Sequence, residues 1–181
     1  MTGVLGIDPG IAQTGIALLT LSLRREGGVV LCEAKHLLHE TIRTQPNRSL
    51  EARCLHIFTA VREQLFSHTV TLVAMEEYMI GPYRKTAALV LQAKGAALTA
   101  CGAAEVPVRM YKPAVIKKIV TGKGNAPKQI VRASVLELLG LRSVSNEHEA
   151  DALAVAITAI RGLSTHDRAR IQASKEAKDE P

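Results

Sequence analysis

Residues 70–75 (Val-Thr-Leu-Val-Ala-Met) form a nearly continuous apolar run that stops at Glu76. A strand with one wet face alternates apolar and polar side chains. This one does not, so both of its faces must be covered, as in a central parallel strand between helices. A second run, Gly3 to Ile7, stops at Asp8 and opens into Pro9-Gly10. Carboxylates at the mouths of buried strands lose solvation. Two such endings point to a metal or catalytic role.

The remaining pattern fills in around these strands. Thr14–Leu23 reads as a strand after the Pro-Gly turn, with Gly15 and Ala17 leaving room for close packing. Gly27-Gly28 reads as a hairpin turn into a third strand, Val29–Leu38. Arg43 to Asn47 reads as a polar loop, and Asn47 or Ser49 caps a helix over 49–65 whose apolar residues recur at helical spacing. An Ala/Leu-rich helix over 86–104 follows the fourth strand. A short strand over 106–110 then leads to a helix start at Lys112-Pro113. Further helices are expected over 127–139, ended by Gly140, and over 148–160. The order βββαβαβ plus helices predicts an α/β fold, a mixed five-stranded sheet with helices on both faces. Such sheets place sites at the carboxyl ends of their strands. Residues 1–163 read as one domain, and 164–181, poor in apolar residues, as a disordered tail.

Charge adds a partner class. The chain carries a net charge of +6, and the bases are not spread evenly. Between Tyr78 and Leu136 ten Lys and Arg residues face one acid, Glu105. Such a stretch favours a polyanion. Within it, Tyr78, Met79, Tyr83, Arg84 and Lys85 form a segment suited to stacking on unpaired nucleotides with phosphate contact. Lys117, Lys118, Lys123 and Lys128 surround a glycine-rich turn and suit phosphates. The same features also suit an ordinary solvated surface. The three cysteines have no metal-ligand spacing and read as small buried hydrophobes of a reducing compartment. The chain shows no signal peptide and no apolar run of membrane-spanning length, so a cytoplasmic location away from membranes is expected.

Candidate chemistry centres on Asp8, Glu76, His148 and Asp151. His148 and Asp151 stand three residues apart at the start of an alanine-rich helix and share a face. Phosphodiester hydrolysis requires an activated water and charge relief on the leaving oxygen. Two divalent cations about 3.5–4 Å apart supply both. The expected cofactor is Mg2+, two ions per site, with Mn2+ able to substitute. Asp8 would bridge, Glu76 and Asp151 would each hold one ion, and His148 would be a ligand or activate the water. Simpler roles compete: Asp8 as a turn acceptor, His148 and Asp151 as residues favourable at a helix start, and Glu77 in place of Glu76.

These residues fall into motifs. They are Leu5-Gly6-Ile7-Asp8-Pro9-Gly10 with Thr14-Gly15, Ala74-Met75-Glu76-Glu77, Gln92-Ala93-Lys94-Gly95, Pro113–Lys117 running to Gly122, and Glu149–Ala156. In order, spacing and length the chain resembles the RuvC family of Holliday-junction resolvases, within the RNase H-like superfamily, over about residues 3–162. The resemblance implies a homodimeric, magnesium-dependent endonuclease that nicks two opposed strands of four-way junction DNA. It implies catalytic and metal roles for Asp8, Glu76 (not Glu77), His148 and Asp151. It also matches Lys117 and Lys128 to lysines that meet DNA near the scissile phosphate. At Met79 the family often has a phenylalanine that helps open the junction. Here Tyr78 stands one residue earlier and Tyr83 later, which changes the expected cleavage preference.

The helix over 86–104 is the expected dimer surface, since Ala88, Ala93, Gly95, Ala96 and Ala97 permit close approach, although they suit packing on the sheet equally. Branch-migration machinery is a further candidate partner. Competing functions are a related nuclease acting on other branched DNA or RNA, and a non-catalytic junction-binding protein. For an actin-like small-molecule phosphotransferase the sequence offers no second domain and no convincing nucleotide loop.

Overall fold

The computed structural model describes residues 3–26, 29–77, 84–164 and 167–168. The strands are β1 (Gly3–Asp8), β2 (Gln13–Glu26), β3 (Val29–Arg43), β4 (Val70–Glu76) and β5 (Val108–Tyr111). The helices are α1 (Leu50–Ser67), α2 (Arg84–Ala103), α3 (Pro113–Thr121), α4 (Lys128–Leu139) and α5 (Glu147–Arg161). The sheet order is β3-β2-β1-β4-β5. β1 to β3 form an antiparallel meander, while β1, β4 and β5 run parallel. The expected mixed five-stranded sheet is therefore present. So are its two helical layers: α3, α4 and α5 cover one face, and α1 and α2 cover the other.

Strand parity sorts the core. Val4, Ala17, Leu19, Leu72 and Ala74 point to the α5 side. Leu5, Ile7, Ile16, Leu18, Val73 and Met75 point to the α1/α2 side. α5 lies so close to the sheet that side chains are excluded beneath it. A Cβ on Gly6 would sit 2.0 Å from the Ala152 carbonyl oxygen, and one on Gly15 would sit 2.0 Å from that of His148. These two glycines set the height of the helix.

Several boundaries differ from the sequence reading. β3 continues through the predicted loop start to Arg43, because Gln13 to Leu18 of β2 pair with Leu38 to Arg43 past an irregularity at Leu18/Leu19. Leu37 is left unpaired there and 48% exposed. β5 begins two residues later than expected. The Val106 amide is spent on the Cys101 carbonyl at the end of α2, and Pro107 has no amide to offer. Ser49 is the N-cap residue of α1, but its side chain makes no capping bond. α5 is capped instead by Asn146, which accepts from the Glu149 amide at 3.1 Å. Gly140 ends α4 at φ 63°, as its position predicted.

The start of the expected tail is partly engaged: Asp167 accepts from Arg109 at 2.6 Å and from the Ser164 amide at 2.9 Å. The Gly27-Gly28 turn and residues 169–181 lie outside the described residues. Cys101 is buried, and that burial pushes its thiol up to about 11, in keeping with an inert packing role. Cys54 is half-buried and free. Among the described residues no helix is long and apolar enough to cross a membrane.

Candidate active site

The site grows out of strand ends. Asp8 is the last residue of β1, and by parity with Val4 and Gly6 it points to the α5 side. β4 runs parallel to β1 with Met75 beside Ile7, so the next residue, Glu76, stands beside Asp8. Parity with Leu72 and Ala74 aims Glu76 at the same side. Glu77 falls on the opposite parity and is exposed.

α5 supplies the other two groups. Gly15 lets its first turn settle on β2, and this brings His148 Nδ1 to 2.6 Å from Asp8 Oδ2. Asp151, one helical turn on, is half-buried with 31% of its side chain exposed. Lys128, at the start of α4, places Nζ 3.7 Å from Asp151 Oδ2 and 3.2 Å from Glu147 Oε2.

The electrostatics are those of crowded acids. Burial raises the Glu76 pKa above the usual carboxylate range. Asp151 and Asp8 push it further, against Lys128 and Lys117. Asp151 is raised by burial and by Asp8, with Lys128 and His148 opposing. His148 is raised chiefly by its hydrogen bond to Asp8, which outweighs burial. Burial lowers Lys128, but Asp151 and Glu147 outweigh it and leave it raised. Three carboxylates thus share one end of the sheet with incomplete internal compensation, an environment that favours added positive charge.

The donor set is three carboxylates and an imidazole, which suits a hard divalent cation. Among the described residues no three such side chains already stand in a ready-made cage. The fit to a cation therefore rests on donor chemistry and charge.

The other expected residues separate into groups. Lys117 and Lys128 lie within electrostatic reach of Glu76. Lys118 and Lys123 are exposed at the end of α3 and in its exit turn, and among the described residues no ion pair links them to the acids. Tyr78, Met79 and Tyr83 lie outside the described residues, and so do the side chains of Arg84 and Lys85.

Two supporting residues were not singled out from sequence. Lys94 on α2 is buried, and its Nζ donates to the Glu76 carbonyl oxygen at 2.7 Å. Burial lowers its pKa, against Glu77 and Glu76. Glu149 on α5 is also buried and accepts from Thr41 Oγ1 and from the Ser145 amide, each at 2.9 Å. It ties the start of α5 to β3. A charged residue on an otherwise apolar helix face was the available signal for both.

A mixed sheet of this order, with acids at the ends of its first and fourth strands and a final helix closing over them, defines an RNase H-like nuclease. Comparison with known proteins narrows the class. The family model described as Crossover junction endodeoxyribonuclease RuvC matches residues 4–159, and the chain belongs to the RuvC family. The RuvC of Syntrophomonas wolfei is 37% identical over 155 residues, covering 85% of this chain and 86% of that one. The Thermus thermophilus RuvC structure superposes with a TM-score of 0.76 at 32% identity, covering 94% of this chain and 96% of that one. T. thermophilus RuvC in complex with Holliday junction substrate gives 0.77 at 33% identity, covering 87% and 92%. The resemblance read from the motifs is borne out, and with it the fold class and the membership in a family of endodeoxyribonucleases.

Proposed function

We propose that the chain resolves Holliday junctions by metal-assisted hydrolysis, nicking two opposed strands. The observation that carries this reading is the convergence of Asp8, Glu76, His148 and Asp151 at one end of the sheet, in a fold shared at 33% identity with a RuvC solved on junction DNA.

Asp8, Glu76 and Asp151 would hold two Mg2+ ions, with Mn2+ able to substitute. Bound there, the ions supply charge relief on the leaving oxygen and a more acidic water. The chain's own residues do the rest. Asp8 fixes the His148 ring through Nδ1, which leaves Nε2 to take a proton from the attacking water or to serve as a ligand. Lys128 balances Asp151 when no cation is bound. Lys117 and Lys128 flank the acids on the side where the scissile phosphate would enter.

Two nicks in a two-fold substrate call for two sites related by a two-fold axis, hence a homodimer. α2 carries the surface for it. Ala93, Ala97 and Ala100 face the core, whereas Leu91 (46% exposed), Gly95 and Leu98 (36%) line the outer face. A Cβ on Gly95 would meet nothing, so a second helix can approach closely there. A cytoplasmic location would fit a DNA substrate.

Asp8→Asn tests the reading. It should abolish nicking of an immobile junction while junction affinity stays within a few fold. A binding protein without activity would show no cleavage in either form. Ca2+ should support binding but not cleavage, since it prefers more ligands at longer distances.

A further inference from the structure

Beyond the acids, the carboxyl end of the sheet carries a second feature. A cavity of about 360 Å³ opens between the end of β3 and the first turns of α1, lined by Arg43, Thr44, Gln45, Arg48, Arg53 and His56. No acid lines it. The nearest acid of the helix start, Glu51, is held by the Ser49 hydroxyl.

The lining divides by role. Arg53 is structural: Nε donates to Thr44 Oγ1 at 2.8 Å and Nη2 to the Ile11 carbonyl at 3.2 Å. Thr44 also donates to that carbonyl through its hydroxyl, and its amide reaches the Ala12 carbonyl at 3.1 Å. The wall is thereby tied to the loop that leaves Asp8. Arg43, Arg48 and His56 are exposed, and among the described residues their side chains make no hydrogen bond or ion pair. The amino end of the 18-residue α1, uncapped by Ser49, adds its positive end to the same space.

Position matters as much as charge. Along the sheet end the cavity sits at β3 and Asp8 at β1, two strands apart, which is about 10 Å. Lys117 follows β5 on the far side. The acids therefore lie between two basic zones. A backbone rising about 3.4 Å per nucleotide would reach the cavity a few nucleotides from the scissile position.

We propose that Arg43, Arg48 and His56 form an anion site for a backbone phosphate of the DNA strand that runs through the catalytic centre. Guanidinium groups match phosphate oxygens in bidentate geometry, and a site of this kind fixes the register of the strand without reading its sequence. The proposal rests on the nuclease reading only in that the ligand is DNA.

The test is a metal-free titration of the full chain against a four-way junction and a linear duplex, each over a series of salt concentrations. Arg43→Ala/Arg48→Ala should weaken both complexes about tenfold and reduce the slope of log K against log salt by roughly one to two, since each neutralised phosphate contributes about 0.9. Arg43→Lys/Arg48→Lys should restore the slope but not the full affinity. Arg62→Ala, on the same helix but outside the cavity, should keep the wild-type slope. A double alanine variant that melts as the wild type and keeps the wild-type slope overturns the site. If the alanine pair melts lower, the exposed Arg43→Gln/Arg48→Gln pair takes its place, and an unchanged slope in that pair overturns the site equally. A wild type that binds duplex as tightly as junction would overturn the junction reading, while the duplex slope still decides the anion site.

Discussion

The two faces of the sheet are built to different tolerances. Under α5 the backbone itself is the contact surface, and a single methyl on Gly6 or Gly15 has no room. Under α1 and α2 ordinary side chains interdigitate, and the outer sides of these helices expose Leu55, Phe66, Leu91 and Leu98. The close face positions the chemistry: it delivers His148 and Asp151 to the strand ends carrying Asp8 and Glu76. The looser face is fixed only on its inner side, which leaves its outer side for the proposed second copy of the chain and its cationic end for the proposed phosphate site. The difference teaches that register at the site comes from helix height, and helix height from two glycines.

The comparison breaks first at the acids. Glu76→Gln should reduce junction cleavage by on the order of a thousandfold or more, as expected for loss of a metal-holding or proton-handling group. Glu77→Gln, one residue away on the exposed parity, should stay within a few fold. Single-turnover rates decide between them, and equal losses would refute the assignment by face. Gly15→Ala comes next. It should cost about a hundredfold in cleavage, because a displacement of about an ångström at the site is enough for that, while far-UV circular dichroism stays unchanged. The same change at Gly95, on the looser face, meets nothing within the protomer and should leave its fold and melting temperature near wild type while weakening the proposed dimer.

Stability gives a smaller effect. Gly6→Ala overpacks the α5 face and should destabilise the fold by roughly 1–3 kcal/mol in denaturant melts.

The pH dependence should be the mildest signal. Glu76, Asp151 and His148 all have raised values, so each holds its proton more tightly in the fold than in the unfolded chain. Their contribution is fully present at acid pH and is lost as pH rises through the raised values. Without divalent cations the melting temperature should therefore begin to fall above about pH 4, where free carboxylates ionise, and go on falling past the ordinary imidazole value of about 6.5. Added Mg2+ should raise it most at the upper end, where its ligands are deprotonated. A larger magnesium effect at low pH would contradict the clustered-acid account.

Much of this architecture was legible because it is local. Continuous apolar runs announce β1 and β4, helical spacing announces α1, and an alanine-rich stretch announces α5. What was not legible depended on partners distant in the chain. The sequence alone left Glu76 and Glu77 equivalent, since both faces of β4 are apolar. The placement of α5 over the even-numbered residues gives the physical reason for the choice that the family resemblance implies. Lys94 reads as one base among ten until its bond to the Glu76 carbonyl is seen. The basic cavity is hidden in the sequence because Arg43 reads there as the start of a loop, whereas the pairing of β3 with β2 carries it to the sheet end beside α1.

The most direct test of the central claim is cleavage of a labelled immobile four-way junction and a matched linear duplex, with and without Mg2+, by the wild type and by Asp8→Asn. The account predicts paired, symmetric nicks in the junction alone, only with the metal and only by the wild type. Cleavage by Asp8→Asn, or equal cutting of the duplex, would contradict it.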